Sequence, residues 1–256
     1  MDLKLKGKRA IVTGATRGIG RAVAETLAAE GAAVAICARK ADEVQQTVAH
    51  LESYGVQAIG GVADIADGIS LKAWVESAAR ELGGLDVLVC NASALTQGNS
   101  EEAWRSCFEV DVLGAQRAIE AALPFLRQAA EANGDASAVV ISSVSAAETS
   151  SANAYGAMKA AQLHLVKGLA KQYARPGVRF NAISPGTIYF EGGVWGEMEK
   201  NAPEIFRGAL ERNPTGRMGR PEEIARAAVF LSSPLSAFTT GINMVVDGAI
   251  TGRVNF

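Results

Sequence analysis

Two residues spaced by one helical turn have the chemistry needed for proton transfer. Tyr155 and Lys159 enclose the sequence Tyr-Gly-Ala-Met-Lys in a segment with a helical pattern, so the phenol and the ammonium share one face, about 6 Å apart along the axis. A phenol ordinarily loses its proton near pH 10. A neighbouring ammonium favours the phenolate, which makes the phenol a more effective general acid–base near neutral pH. The spacing alone is a weak signal, but its position after the strand-like segment ending in ISSVS strengthens it.

A second chemical feature is the glycine-rich segment TGATRGIG at 13–20, in which Gly14, Gly18 and Gly20 follow the apolar run 10–12. Glycine weakens regular structure by roughly 0.5–1 kcal/mol relative to alanine, so some gain must offset its density at a strand-to-helix junction. Bare backbone there lets amides approach a pyrophosphate, and the following helix presents its positive N-terminus to the same charge. A P-loop is excluded because no Gly-Lys-Ser/Thr follows the spacer, whereas a tight turn without a ligand stays the alternative.

The end of the second predicted strand indicates the type of dinucleotide. A cofactor without a 2′-phosphate is usually held by an acidic residue at that point, about 20 residues after the glycines. Here the strand ends in ICARK at 36–40, with two cations and no carboxylate. The Arg39 guanidinium offers a bidentate fork that matches phosphate, and Arg17 in the glycine segment can converge on the same group. The sequence therefore predicts NADP(H) rather than NAD(H); a merely solvated Arg39 is the alternative.

These residues need a scaffold, and strand-like and helical segments alternate along the chain. The predicted strands are 9–13, 33–38, 56–63, 86–91, 138–142, 178–183 and 244–246. The predicted helices are 18–30, 41–54, 69–82, 101–132, 152–174 and 221–231. Most strand-like runs are apolar without alternation, as expected of strands covered on both faces. The pattern predicts an α/β fold, a single Rossmann-type doubly wound domain over 1–256 with a seven-stranded parallel sheet and helices on both faces.

The composition narrows the class of protein. The chain has 256 residues, 48% hydrophobic and 20% charged, with a formal net charge of −2, enough for one large α/β domain. The near-neutral balance gives no reason to expect nucleic acid as a partner, and no apolar run reaches the roughly 20 residues of a membrane span. Neither the three cysteines nor the histidines form a metal-binding pattern. Without an apolar leader segment, the sequence predicts a cytoplasmic protein with no metal.

In chain order, these motifs resemble those of the short-chain dehydrogenase/reductase family across essentially the whole chain. The matching segments are TGATRGIG, Ala63-Asp64, CNAS at 90–93, Ser142, the Tyr155/Lys159 pair and Pro185-Gly186. The segment 216–249 is especially similar to the β-ketoacyl-carrier-protein reductase branch. The resemblance implies an oxidoreductase that interconverts a ketone, such as a 3-oxoacyl thioester, and a secondary alcohol.

The resemblance also implies a role for each matching residue. Tyr155 would deliver or accept the proton, Lys159 would favour the phenolate and hold the nicotinamide ribose, and Ser142 would hydrogen-bond the reacting carbonyl oxygen. The expected cofactor-binding residues are Gly14, Thr16, Arg17, Gly18, Ile19, Gly20, Arg39, Asp64, Ile65, Asn91, Ala92, Tyr155, Lys159, Pro185, Gly186, Thr187 and Ile188. Of these, 64–65 would flank the adenine and 185–187 would cover the nicotinamide.

The chain departs from the family pattern at two positions. Ser93 stands where the family usually has glycine after Asn-Ala, so its Cβ would crowd the loop beside the cofactor. In FEVDVLG at 108–114, Asp111 takes the place of an active-site Asn that helps hold a water in the proton relay to the lysine. An ionised aspartate only accepts hydrogen bonds, so it would either anchor Lys159 or oppose the phenolate. Asp111 is therefore expected to take part in catalysis and to alter the pH profile.

The segment from Gly186 to Gly219 falls where the family has its mobile substrate lid. Its large apolar side chains fit an apolar or acyl-linked carbonyl or alcohol substrate, although they would equally well pack the lid onto the body; they are Phe190, Trp195, Met198 and Phe206. Its arginines would suit an acidic carrier protein; they are Arg207, Arg212 and Arg217. Family analogy implies a homotetramer.

Two other functions stay open at this point. One is a dehydrogenase of a steroid or other lipophilic alcohol, and the other is a non-catalytic protein that senses NADP(H). The presence of Ser142, Tyr155 and Lys159 together disfavours the sensing protein, because a sensor has no use for a proton-transfer set.

Overall fold

The apolar segments between the glycine-rich junctions form the strands of one parallel sheet. The computed structural model describes residues 2–149, 151–175 and 177–254. Its strands are β1 (Arg9–Thr13), β2 (Ala33–Ala38), β3 (Ala58–Val62), β4 (Val87–Cys90), β5 (Ala136–Ile141), β6 (Val178–Pro185) and β7 (Asn243–Val246). They lie in the order β3-β2-β1-β4-β5-β6-β7, and each neighbouring pair is parallel. The predicted fold class and seven-stranded sheet are confirmed.

Helices cover both faces of this sheet. They are α1 (Gly18–Ala29), α2 (Ala41–Glu52), α3 (Gly68–Glu81), α4 (Glu101–Cys107), α5 (Gly114–Asn133), α6 (Ala154–Tyr173), α7 (Val194–Asn201), α8 (Pro203–Glu211) and α9 (Pro221–Ser232). One apolar core lies between the sheet and α3, α5 and α6, and a second lies between the sheet and α1 and α9. In the described ranges, no helix is both long and apolar enough to cross a membrane.

The structure differs from the sequence prediction in two helical regions. The predicted helix 101–132 is divided, because the π-helical segment Phe108–Leu113 separates α4 from α5. The segment 186–219, in which no helix was predicted, contains α7 and α8. Their short length and the many Gly and Pro residues around them concealed the helical period.

A buried carboxylate fixes the amino end of the sheet, opposite the glycine segment. Asp86 precedes β4, and its Oδ2 accepts hydrogen bonds from the backbone amide (3.0 Å) and the Nε (2.7 Å) of Arg9. Lys8 Nζ lies 3.3 Å from the other oxygen. Burial opposes ionisation of Asp86, but the hydrogen bonds and charge of Arg9 outweigh it and hold the pKa of the carboxyl below its ordinary value.

We expect Asp86→Asn to lower the free energy of unfolding by about 2 kcal/mol at neutral pH, because charge-assisted hydrogen bonds are lost. A depressed pKa contributes stability above the carboxyl's unfolded value, and this contribution disappears as pH falls through the folded value. The difference between wild type and variant in denaturant unfolding should therefore shrink between about pH 5 and pH 2. Glu120→Gln, which removes an exposed partner of Lys72 (2.8 Å), is the control and should change stability little. A difference that does not vary with pH would contradict this assignment.

Candidate active site

The glycine segment leaves the carboxyl end of β1 and turns into α1. Gly14 (φ +64°) and Gly18 (φ +55°) adopt the left-handed conformation that favours glycine. The Gly14 amide donates to the carbonyl of Cys37 on β2 (2.9 Å). A Cβ on Gly20 would collide with the Gly14 carbonyl and with the Asn91 side chain. Within the described chain, α1 has no capping side chain and no acidic residue in its first turn, so its positive end is left facing the carboxyl edge of the sheet.

Asn91 and Ala92 follow β4 and are fastened to the end of β1. The Asn91 side-chain amide donates to the carbonyls of Thr13 (3.1 Å) and Gly14 (2.8 Å). The backbone amides of Asn91 and Ala92 donate to the Thr13 hydroxyl at 3.1 and 3.3 Å. The Ser93 hydroxyl accepts a backbone amide two residues further on (3.2 Å). Because the strand order reverses between β1 and β4, this is the crevice in which open parallel sheets bind ligands.

A carboxylate that the sequence argument missed lies beside the end of β2. Arg39 follows β2 and is exposed. The Thr16 hydroxyl donates to the carboxylate of Glu43 (3.0 Å), in the first turn of α2, and Lys40 Nζ donates to its other oxygen (2.7 Å). Hydrogen bonds from Lys40 and then Thr16 hold the pKa of the Glu43 carboxyl below its usual value. The sequence did contain a signal for this contact. Glu43 comes three residues after Lys40 at a helix start, so both side chains fall on one face.

The loop after β3 supplies Asp64 and Ile65. Asp64 is exposed, and its side chain accepts the amide of Ala66 (3.0 Å). Ile65 packs directly against Gly114 at the start of α5, where a Cβ would collide with it. This loop is therefore set against the helix that follows the π-helical segment.

Helix α6 brings Tyr155 and Lys159 to the carboxyl end of β5. The Asn153 side chain caps the helix by accepting the amide of Gly156 (2.7 Å), which places the helix start just before Tyr155. The Lys159 ammonium donates to the carbonyl of Ile141 at the end of β5 (3.0 Å) and lies 5.5 Å from the centre of the Tyr155 ring. Lys159 is only 1% exposed. The phenol and the ammonium thus lie on one face, at the position that their spacing predicts.

Two consecutive serines follow β5, and their hydroxyl groups are used differently. The Ser142 hydroxyl is buried and donates to the backbone carbonyl of Lys159 (3.0 Å). The Ser143 oxygen accepts the amide of Ser145 (3.1 Å) and begins a 3₁₀ turn. In the described ranges, the Ser143 proton is not donated to another protein group. Ser142 is therefore occupied in attaching α6 to β5, whereas Ser143, which the sequence argument passed over, can donate to a ligand.

Asp111 enters the same region through the π-helical segment. Its Oδ1 lies 3.0 Å from Lys159 Nζ, and both side chains are buried. Gln162 donates from its side-chain amide to the Asp111 backbone carbonyl (2.6 Å) and is also buried. Gln162 was not predicted from the sequence, although a polar residue three positions after Lys159 falls on nearly the same helix face.

The segment 186–219 is closed at its base beside β6 and β7. The Gly186 amide donates to the carbonyl of Val246 (3.0 Å), and the Gly219 amide donates to the carbonyl of Thr187 (2.9 Å). The Tyr189 amide donates back to the Gly219 carbonyl (2.8 Å). These bonds hold residues 186–189, including Ile188, at the carboxyl edge of the sheet.

The same segment also contacts the glycine turn. The Phe190 ring lies against Gly18, where a Cβ would come within 2.6 Å of the ring. Arg17 donates to the carbonyl of Gly192 (3.2 Å). Two residues predicted to bind the cofactor thus also hold the start of the segment that leads into α7.

Comparison with known proteins identifies the family. A sequence profile for the family described as Enoyl-(Acyl carrier protein) reductase matches residues 14–251. Isoepoxydon dehydrogenase of Penicillium expansum is 40% identical over 253 residues, which span 96% of this chain and 95% of that protein. The chain is a short-chain dehydrogenase/reductase. As such it is an oxidoreductase that interconverts an alcohol and a ketone with a nicotinamide cofactor.

Two solved structures resemble this short-chain dehydrogenase/reductase over nearly its full length. L-Sorbose reductase from Gluconobacter frateurii, complexed with NADPH and L-sorbose, is 30% identical with a TM-score of 0.90, covering 99% of this chain and 100% of that one. 7α-Hydroxysteroid dehydrogenase, complexed with NADH and 7-oxo glycochenodeoxycholic acid, is 31% identical with a TM-score of 0.88, covering 99% and 98%. The cofactor therefore differs among relatives of similar identity.

The residues of this short-chain dehydrogenase/reductase fit a dinucleotide on their own evidence. The uncapped start of α1 faces the crevice, so its free backbone amides can bind a pyrophosphate. Arg17, just before α1, and Arg39, just after β2, are exposed positive charges at the same edge of the sheet. A nicotinamide dinucleotide can therefore lie along the ends of β2, β1 and β4 toward α6.

Proposed function

We propose that this protein uses NADP(H) to interconvert a ketone and the matching secondary alcohol on a small molecule that is not attached to a carrier. The observation that supports this most directly is the convergence of Tyr155 and Lys159 with the serines at the carboxyl end of β5, beside the glycine turn. In this proposal the chain is one catalytic domain over 1–256, with a substrate lid at about 186–219.

Each residue acts on a proton or on the position of a ligand. The bound cofactor supplies or removes the hydride. The Tyr155 hydroxyl gives a proton to the carbonyl oxygen during reduction and takes it back during oxidation. Lys159 favours the ionised phenol and would hold the nicotinamide ribose of a bound cofactor, while a serine hydroxyl would hydrogen-bond the reacting oxygen and stabilise its developing charge. Residues 185–187 would cover the nicotinamide, and Asn91 would support the floor of the crevice.

The preference for NADP(H) rests on the charges beside β2. Arg39 is exposed at the strand end, and Arg17, which precedes α1, is exposed as well and donates to the Gly192 carbonyl (3.2 Å). Glu43 is the one acid found in contact with this part of the described chain, but its two oxygens are already bonded to Lys40 and Thr16. A compensated carboxylate competes weakly with a 2′-phosphate for the Arg39 guanidinium.

A free substrate is favoured because two of the three lid arginines already have an acidic partner within the chain. Arg217 makes two hydrogen bonds of 2.7 Å to Glu223, which lower the pKa of that carboxyl to about 2. Arg207 lies 3.2 Å from Glu204. Forming new contacts with an acidic carrier protein would therefore compete with these existing pairs at two of the three arginines. The relatives reported above are named for isoepoxydon or complexed with L-sorbose or 7-oxo glycochenodeoxycholic acid, and none of these names includes a carrier protein. The homotetramer and the cytoplasmic location stay predictions.

Turnover of a panel of compounds tests this proposal. NADPH oxidation, followed by absorbance, should be seen with cyclic ketones, ketoses or oxosteroids and be weaker with carrier-linked 3-oxoacyl thioesters. Tyr155→Phe should lower kcat by about 100-fold or more, since the proton donor is removed, while NADPH still binds in a fluorescence titration. Cofactor binding without turnover of any compound would favour a non-catalytic protein that senses NADP(H). Better turnover of the carrier-linked thioesters would favour a β-ketoacyl-carrier-protein reductase instead.

The two serines can be separated by matched substitutions. Ser143→Ala should lower kcat/KM by about 100-fold, because a donor to the developing oxyanion is lost. Ser142→Ala should retain most activity and lower the free energy of unfolding by about 1 kcal/mol, because it removes one buried hydrogen bond. Steady-state kinetics and denaturant unfolding of both variants measure the two effects. The reverse ranking would assign the substrate contact to Ser142.

The cofactor preference is tested at Arg39. Arg39→Ala should raise the KM for NADPH roughly tenfold or more, the size of one charge-assisted interaction, and leave the KM for NADH unchanged. Arg80→Ala, which removes an exposed arginine from α3, is the matched control and should change neither value. Comparable kcat/KM for the two cofactors in the wild-type protein, or a preference for NADH, would contradict the proposal.

A further inference from the structure

In the π-helical segment Phe108–Leu113, Asp111 contacts α6 through both its backbone and its side chain. In a π-turn the hydrogen bonds skip an additional residue, and such turns are concentrated at functional sites. Here the backbone carbonyl of Asp111 accepts the side-chain amide of Gln162 (2.6 Å). The Asp111 side chain points to the active site, where it meets Lys159.

The Asp111 carboxylate has two different partners. Its Oδ2 accepts the backbone amide of Ala94 (3.2 Å), in the loop after β4. Its Oδ1 makes no aligned hydrogen bond in the described chain and faces the Lys159 ammonium at 3.0 Å as an ion pair. The side chains are 0% and 2% exposed. Because a buried charge is stabilised by a counter-ion, the two groups stabilise one another in their ionised forms.

Gln162 is buried at a cost that folding alone does not explain. The residue is 2% exposed, and its side-chain oxygen has no hydrogen-bond partner among the described residues. An apolar residue would fill the same position on α6 without leaving a buried acceptor unsatisfied. The contribution of Gln162 is the hydrogen bond that its side-chain amide donates to the Asp111 backbone carbonyl. Together with Lys159, it lets α6 hold residue 111 at two points.

We propose that Asp111 and Gln162 are positioning residues that clamp the Lys159 ammonium, and that the Asp111 carboxylate offsets its charge at the Tyr155 hydroxyl. The proposal rests on the function proposed above and adds how this chain sets the pH at which its site works. An ion pair stabilises a nearby phenolate less than an unpaired ammonium does. The Tyr155 phenol should therefore ionise at a higher pH than it would beside Lys159 with a neutral residue at 111.

The other ionisable groups around this junction do not account for the same effect. Burial, and then the charge of Asp111, raise the pKa of the Cys107 thiol at the end of α4, so that it stays neutral near pH 7. Glu109, on the π-helical segment, is partly exposed and pairs with Arg117 (3.1 Å). The described loops that follow β4 and β5 contribute the serine hydroxyls of Ser93 and Ser142.

Tyrosinate absorbance tests the charge effect without any need for turnover. The protein and its Asp111→Asn variant are titrated with base, and each is compared with the same chain carrying Tyr155→Phe, so that the difference reports Tyr155. The midpoint should be about one pH unit lower in Asp111→Asn, since a nearby charge shifts ionisation by that order. The pH profile of kcat/KM for alcohol oxidation should move in the same direction. An unchanged or higher midpoint would overturn the proposal.

Two further variants separate charge, position and stability. Gln162→Met keeps the ion pair but removes the grip on the carbonyl, so kcat should fall several-fold while the Tyr155 midpoint and the NADPH dissociation constant stay unchanged. An unchanged kcat would remove Gln162 from the proposal.

The control is Asp86→Asn, which changes a buried carboxylate at the opposite end of the sheet. It should lower the free energy of unfolding and leave the pH midpoint of Tyr155 unchanged. If the wild-type protein turns over no substrate, the function proposed above fails, and the absorbance titration still decides this inference. If Asp111→Asn does not fold, a pH midpoint that moves in Gln162→Met would overturn it.

Discussion

The buried ammonium of Lys159 is the interaction on which the site depends. A lysine side chain that is almost fully enclosed is stable in its charged form only if it finds a counter-ion and hydrogen-bond acceptors. It finds the Asp111 carboxylate on the π-helical segment and the Ile141 carbonyl at the end of β5. These two contacts join three elements that are far apart in the sequence. The position of Tyr155, one turn earlier on the same helix, follows from them.

The parallel sheet explains why sequence analysis could find so much of this site. Parallel strands end at one edge, so motifs that follow different strands must meet there even though long helices separate them in the chain. TGATRGIG, Asn91 and Ser142 could be assigned to one edge from their order alone. The Tyr155/Lys159 spacing then placed the remaining pair on a helix face. Local pattern and strand order were sufficient for these features because neither requires knowledge of a specific contact.

Features that depend on a particular contact could not be predicted in the same way. In the π-helical segment each backbone hydrogen bond spans one residue more than in an α-helix. The spacing of apolar residues across 101–132 does not reveal this difference. The choice between Ser142 and Ser143 depends on where β5 ends and which hydroxyl meets the Lys159 carbonyl. Glu43 was not predicted because an acid near the ribose is expected at the end of β2. The Glu43 carboxylate instead extends from the first turn of α2 to the Thr16 hydroxyl.

The dense glycines of the turn have structural causes that differ from one position to the next. Gly20 is required because a Cβ there would meet the Gly14 carbonyl and Asn91, and this holds whether or not a ligand is bound. Gly18 combines a left-handed backbone with close contact to the Phe190 ring, so it also seats the segment that leads into α7. Both positions would be glycine in a protein that only needed a tight β–α turn. What points to a dinucleotide is instead the uncapped start of α1 at the strand-order reversal, with Arg39 exposed nearby. The glycines make that helix end accessible, and the surrounding charges determine what it attracts.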